Sequence, residues 1–168
     1  MKTINLRRSV RTFTDAQVED SKVELLVKAG MQAPSAGNQR PWELIVVKNP
    51  ETLEKLSKAS SHAGCTKNAP MAIVILGNTD NMIYRAHYEQ DLGACTQNIL
   101  LECVEQGLGS VWLGLAPFED RFAAVRDIFG LGANMLPYAI LPIGYPKNED
   151  ANYFLDRFQS EKVHYEEY

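Results

Sequence analysis

The chain has 168 residues, of which 45% are apolar and 23% charged, with a net charge of -4. That length suits a single domain, residues 1–168, with a real core. The mild acidity argues against general nucleic-acid affinity, and no apolar run reaches the roughly 18 residues of a membrane span or resembles the h-region of a signal peptide. Cys65, Cys95 and Cys103 form no CxxC pair. If Cys95 and Cys103 share a helix they stand about 12 Å apart along it and cannot bridge each other. Reduced, mostly buried thiols imply a cytoplasmic protein. His62, His87 and His164 show no ligand spacing, so no metal site is expected.

Taken in order, the chain opens with Arg7-Arg8-Ser9-Val10-Arg11, three guanidinium groups and a hydroxyl in five residues. Arginine forks match phosphate oxygens at two points. A solvated basic surface is the plainer alternative. In an acidic chain, however, such a concentration of positive charge repels itself unless an anion offsets it. Thr14 or Asp15 can cap a helix whose apolar positions are Val18, Val23, Leu25, Leu26, Ala29 and Ala33. Pro34 ends it. Ala33-Pro34-Ser35-Ala36-Gly37-Asn38-Gln39-Arg40-Pro41-Trp42 then forms a loop of small and amide-bearing side chains. Gly37 and Asn38 tolerate positive φ, so the loop can approach a flat ligand closely. An ordinary helix-to-strand connection is the competing interpretation.

Trp42 to Val47 has the β-branched content of a strand, and Glu51 to Ser61 an amphipathic helical pattern with Leu53 and Leu56 inward. His62 sits in a polar loop without a carboxylate neighbour in sequence and reads as a surface histidine. Met71 to Gly77 is nearly continuous in apolar residues, the pattern of a central strand covered on both faces. Met82 to Gly107 is the longest helical pattern and is apolar most of the way round. Either a second subunit or the rest of this chain buries it. Ala86, Gly93 and Ala94 leave room for another backbone.

Val111 to Leu115 reads as a short strand whose Gly114 permits close approach of a ligand. The nearby Gly107-Leu108-Gly109 follows a helix and lacks a spaced third glycine, so it is no dinucleotide fingerprint. Phe118 to Phe129 is an amphipathic helix. Pro137 to Pro146 is the last core strand, and its prolines place it at an edge or give it a bulge. Residues 147–168 are polar and aromatic, with too little apolar content to stand alone.

Together, RRSVR, APSAGNQRPW, VWLGL, PIGYP, DRF and VHYEEY, in this order along nearly the whole chain, resemble the short form of the FMN-dependent nitroreductase family. The resemblance implies an α+β fold with a mixed, mostly antiparallel central sheet flanked by helices. It also implies an intertwined homodimer with FMN at the subunit interface and a C-terminal segment reaching across. Arg7, Arg8, Ser9 and Arg11 would then hold the FMN phosphate and ribityl chain, with Arg157 of DRF adding a cation. Pro34, Ser35, Ala36 and Asn38 would approach the ring from the partner, and Gln39 the ring or the substrate. Leu113, Gly114 and Leu115 would lie on its other side.

The implied activity is ping-pong transfer from NADH or NADPH through flavin N5 to a nitroaromatic or quinone. The flavin carries the hard chemistry, which accounts for the lack of a catalytic Ser/His/Asp set or paired carboxylates. Since fold does not fix function, three alternatives stand beside this one: reductive dehalogenation, a flavin-binding or redox-sensing module without turnover, and a phosphate-binding domain without flavin.

Overall fold

The apolar run at Met71 is where the sheet is centred. In the computed structural model, which describes residues 2–168, it forms β2 (Met71–Asn78), buried from Met71 to Gly77. On one side it pairs antiparallel with β1 (Trp42–Val47), from Trp42 opposite Gly77 to Val47 opposite Ala72. On the other it pairs antiparallel with β5 (Met135–Gly144), from Met71 opposite Ile143 to Asn78 opposite Met135. Two short strands, β3 (Gly109–Ser110) and β4 (Leu113–Gly114), line the far side of β5, also antiparallel. Among the described residues the one isolated parallel bridge joins Ser9 to Ser110.

Successive side chains of a strand point to opposite faces, and β2 sorts the core accordingly. Met71, Ile73 and Ile75, with Ala139, Leu141 and Ile143, meet Leu26 of α2 (Asp20–Met31) and Leu92, Cys95 and Ile99 of α4 (Tyr88–Glu105). Ala72, Val74 and Leu76, with Ile140, meet Leu53 and Leu56 of α3 (Pro50–Leu56) and Phe122 and Val125 of α5 (Glu119–Phe129). Each large side chain fully buried this way contributes about 1.5–3 kcal/mol. The sheet is thus covered on both faces, which is why β2 reads as an unbroken apolar run although its neighbours are antiparallel. A short helix, α1 (Lys2–Leu6), precedes the arginine segment.

The prolines of β5 produce a bulge and not an edge. Ile75 faces Ala139 and Leu76 faces Pro137, so Tyr138 has no partner on β2. Its carbonyl instead accepts from the N–H groups of Leu115 and Ala116, at 2.8 and 3.2 Å. The single strand expected over Val111–Leu115 is replaced by β3 and β4. Pairing lapses at Val111–Trp112, opposite Leu141 and Pro142, where the proline nitrogen has no proton to donate.

The helix expected from Thr14 starts at Asp20. Phe13 bridges to Pro146 and the Thr14 N–H donates to the Tyr145 carbonyl at 2.9 Å, so this stretch is drawn out along the end of β5. Asn49 caps α3 by accepting from the Thr52 N–H at 3.0 Å, with Pro50 in its first turn. α4 begins at Tyr88, after a 3-10 turn at Arg85–His87. Gly30 of α2 packs tightly on it, and an added Cβ there would lie 2.9 Å from the Ile99 side chain. Much of its apolar girth is therefore buried by its own chain. No helix among the described residues is long and apolar enough to cross a membrane. Beyond the Pro146 bridge come the 3-10 turns Glu149–Ala151 and Ser160–Lys162, with Tyr153, Phe154, Phe158 and Tyr165 exposed.

Candidate functional site

Three separate features carry the candidate site. The first is the loop after α2. Gly37, Asn38 and Arg40 all have positive φ, at 54°, 55° and 47°. For Asn38 and Arg40 the left-handed region costs about 1–2 kcal/mol each, so the surroundings must hold the loop in shape. The Ser35 hydroxyl accepts from the Arg40 N–H at 2.9 Å. Gln39 uses its whole amide internally. Its Oε1 accepts from the Tyr84 N–H at 2.8 Å, and its Nε2 donates to the Tyr84 carbonyl at 3.3 Å and to Asp91 Oδ2 at 2.6 Å. Asp91 Oδ1 accepts the Ala36 N–H at 2.8 Å. The Tyr84 ring covers Gly37 so closely that a Cβ there would overlap it. Pro34, Gly37 and Asn38 remain exposed, and Ser35 and Ala36 half-buried.

The second feature is the arginine segment. The Val10 N–H donates to the Ser110 carbonyl at 2.9 Å, which lays residues 9 and 10 beside β3. Arg7 and Arg8 line a cleft of about 360 Å³ together with Arg157 from the tail; Asp156 and Phe158 also border it. Burial, and then the charges of Arg8 and Arg157, pull the Arg7 guanidinium below its ordinary pKa. Among the described residues none of Arg7, Arg8, Arg11 and Arg157 makes an ion pair. Arg8 lies over the Tyr153 ring at 4.8 Å and donates from Nη1 to the Arg7 carbonyl at 2.6 Å, while its Nε and Nη2 are buried without any partner. Ser9 is exposed. Arg11 points elsewhere, into a cleft of about 520 Å³ shared with Lys48, Lys67 and Lys147. The segment therefore presents two cationic clefts, not one.

The third feature is β4. The Leu113 and Leu115 side chains point into the core beside Phe122 and Val125, and Gly114 faces out. A Cβ on Gly114 would meet nothing within 4 Å, so its own chain does not require glycine there. Only the backbone at Gly114 is open to a ligand, not the two leucine side chains. The Gly114 carbonyl accepts from Arg121 Nη1 at 2.9 Å.

Arg7 and Arg8 of the sequence motif thus meet Arg157 across 150 residues of chain, and Arg11 does not join them. The loop does not join them: the cleft beside it is lined by Met31, Gln39, Arg40, Trp42 and residues 80, 81 and 83. Sequence reasoning missed Asp91, Tyr84 and Lys67. For Asp91 a signal existed, an acid four residues before Cys95 on the apolar stripe of α4. His62 is exposed, and the described residues contain no group of three or more His, Cys, Asp or Glu able to hold a metal.

Comparison with known proteins agrees with this architecture. The model of the Nitroreductase family matches residues 4–64 and 61–145. A relative from Archaeoglobus fulgidus, provisionally named an NADH dehydrogenase/NAD(P)H nitroreductase, is 40% identical over all of this chain and 98% of its own. A crystal structure from Clostridium acetobutylicum, provisionally named an NADH oxidase, superposes with a TM-score of 0.96 at 44% identity, covering 99% of each chain. An FMN-dependent nitroreductase from Clostridium difficile superposes with a TM-score of 0.91 at 29% identity, again over 99% of each chain. The chain belongs to the nitroreductase family.

Proposed function

We propose that this chain is an FMN-dependent NAD(P)H oxidoreductase that works as a homodimer on small oxidised acceptors such as nitroaromatics or quinones. The observation that carries this proposal is the cleft of Arg7, Arg8 and Arg157, three cations without a carboxylate partner and with two buried N–H-bearing nitrogens of Arg8 unmatched. Buried donors of this kind are costly unless something accepts from them, and a phosphate dianion has the charge and the oxygens to do so. The residues present therefore fit FMN at its phosphate end. When bound, FMN supplies the redox chemistry between a nicotinamide donor and the acceptor.

The protein's part is binding and orientation. Arg7, Arg8, Ser9 and Arg157 hold the phosphate and ribityl end. Arg11, with Lys67 in the same cleft, would add positive potential favouring negative charge on a bound flavin. Gly114 offers a flat backbone with no side chain in the way. Pro34, Ser35, Ala36 and Asn38 come from the second subunit, which accounts for their distance from the arginine cleft within one chain. Gln39 shapes that loop from behind and is not a free donor. The exposed aromatics of the tail, with Phe158 76% exposed, suit an arm that packs on a partner. The three free thiols suit a reducing compartment, the cytoplasm.

The test is the visible spectrum of the purified protein under anaerobic conditions, before and after NADH or NADPH. A flavin spectrum that bleaches on addition supports the proposal. A spectrum that persists removes NAD(P)H as donor, and a protein that stays colourless after reconstitution with FMN removes the flavin altogether.

A further inference from the structure

One buried carboxylate holds the loop of residues 35–39 at two points. Asp91 is 4% exposed, and no cation pairs with it among the described residues. A buried carboxylate without a counter-ion is expensive, yet this one is well placed. It stands in the first turn of the 18-residue α4, whose dipole favours negative charge there. One oxygen accepts the Ala36 N–H and the other the Gln39 amide, and Gln39 in turn grips both backbone groups of Tyr84. Two stretches distant in sequence, residues 35–39 and the run from Tyr84 into α4, are thus tied together at Gln39 and this acid. Its two bonds fall on either side of Gly37 and Asn38, the exposed left-handed pair.

We propose that Asp91 is a positioning residue, which fixes the backbone of residues 36–38 in the shape that meets the flavin of the partner subunit. This rests on the proposed flavin site. The carboxylate touches neither flavin nor acceptor; it acts through Ala36 and Gln39. An asparagine at 91 has nearly the same size, but it must set its own NH₂ against that of Gln39 or turn it toward the Ala36 N–H. A glutamate at 39 sets two carboxylates against each other. Together the two changes restore a donor facing an acceptor between residues 39 and 91, with the roles exchanged, and leave the Tyr84 N–H its acceptor, while the Tyr84 carbonyl loses its donor.

The experiment compares wild type, Asp91→Asn, Gln39→Glu and the double variant by titrating apoprotein with FMN and recording the bound-flavin spectrum. Each single variant is expected to bind FMN roughly ten- to a hundredfold more weakly, as loss of a charge-assisted hydrogen bond implies, and to shift the visible band. The double variant is expected to recover part of both, which simple filling of space would not produce. Amide exchange at Ala36 should quicken in Asp91→Asn without any flavin present. If Asp91→Asn fails to fold, Gln39→Glu breaks the same bond from the half-buried side and carries the comparison. Single variants that bind FMN like wild type, or a double variant no better than either, overturn the role of Asp91 alone. Wild type that never takes up FMN overturns the flavin site and this role with it.

Discussion

Val10 lies directly on Gly109: a methyl group in place of the Gly109 hydrogen would sit 2.7 Å from Val10 Cγ1. The glycine of β3 is therefore the seat of the segment that carries Arg7 to Arg11. Gly109→Ala is expected to destabilise the fold by about 1–3 kcal/mol through overpacking. It should also weaken FMN binding although it alters no charge. Urea denaturation and FMN titration of the same preparation check both effects, and unchanged FMN affinity would uncouple the seat from the site.

Arg8 separates stability from binding. Its Nε and Nη2 are buried and unmatched, a cost that methionine, with a similar stem and no N–H groups, removes. Arg8→Met is expected to make the apoprotein more stable by about 1 kcal/mol, while the gain in Tm on saturating with FMN shrinks. Thermal melts with and without FMN read both signs.

Arg7→Ala is expected to weaken FMN binding by about 1.5–3 kcal/mol, the worth of a charge-assisted bond, and Arg11→Ala, in the other cleft, by less, each with the fold intact. Lys28→Ala removes only an exposed pair with Glu24 and should change FMN affinity by less than about 0.5 kcal/mol. Unchanged affinity in both arginine variants would return the cluster to the solvated surface.

Gly30 and Ile99 set the distance between α2 and α4. Gly30→Ala gains helix propensity of about 1 kcal/mol but drives a Cβ to 2.9 Å from Ile99, and overpacking at about 1–3 kcal/mol is expected to prevail. Adding Ile99→Val should relieve part of the loss. Non-additivity in a double-mutant cycle by chemical denaturation measures the contact.

The cysteines predict alkaline behaviour. Burial pushes the Cys95 and Cys103 thiols up to about 12 from an ordinary 9.0, and raises Cys65 as well. The folded state keeps these protons longer than the unfolded chain does. Stability is therefore complete below pH 9 and is lost as pH rises from 9 toward 12, by up to about 1.4 kcal/mol per pH unit for each fully buried thiol. Denaturation midpoints across that range check the slope. Labelling of the native protein at pH 8 should modify only Cys65, which is half-buried, and unfolding should release the other two.

Local pattern was enough to find β1, β2, α5 and the end of α2, because periodicity and prolines act within a few residues. It failed where distant chain decides the conformation. Thr14 looks like a cap until Tyr145 takes its N–H, and Val111–Leu115 looks like one strand until Pro142 lies opposite. The arginine motif was legible as charge, but that Arg11 faces a different cleft from Arg7 and Arg8 was not, since the bridge from Ser9 to Ser110 orients the segment. Gln39 announced an available amide. Only the fold shows that Tyr84 and Asp91 occupy it.

In β4 the two leucines belong to the interior and the glycine between them to the surface. Folding and the proposed flavin contact are therefore written in alternate letters of one short word. A side chain introduced at residue 114 would grow outward and leave the hydrophobic interior undisturbed, but it would stand where the proposed site needs a bare backbone. Selection at residue 114 would then come from the proposed ligand alone, while its neighbours on either side answer to the core.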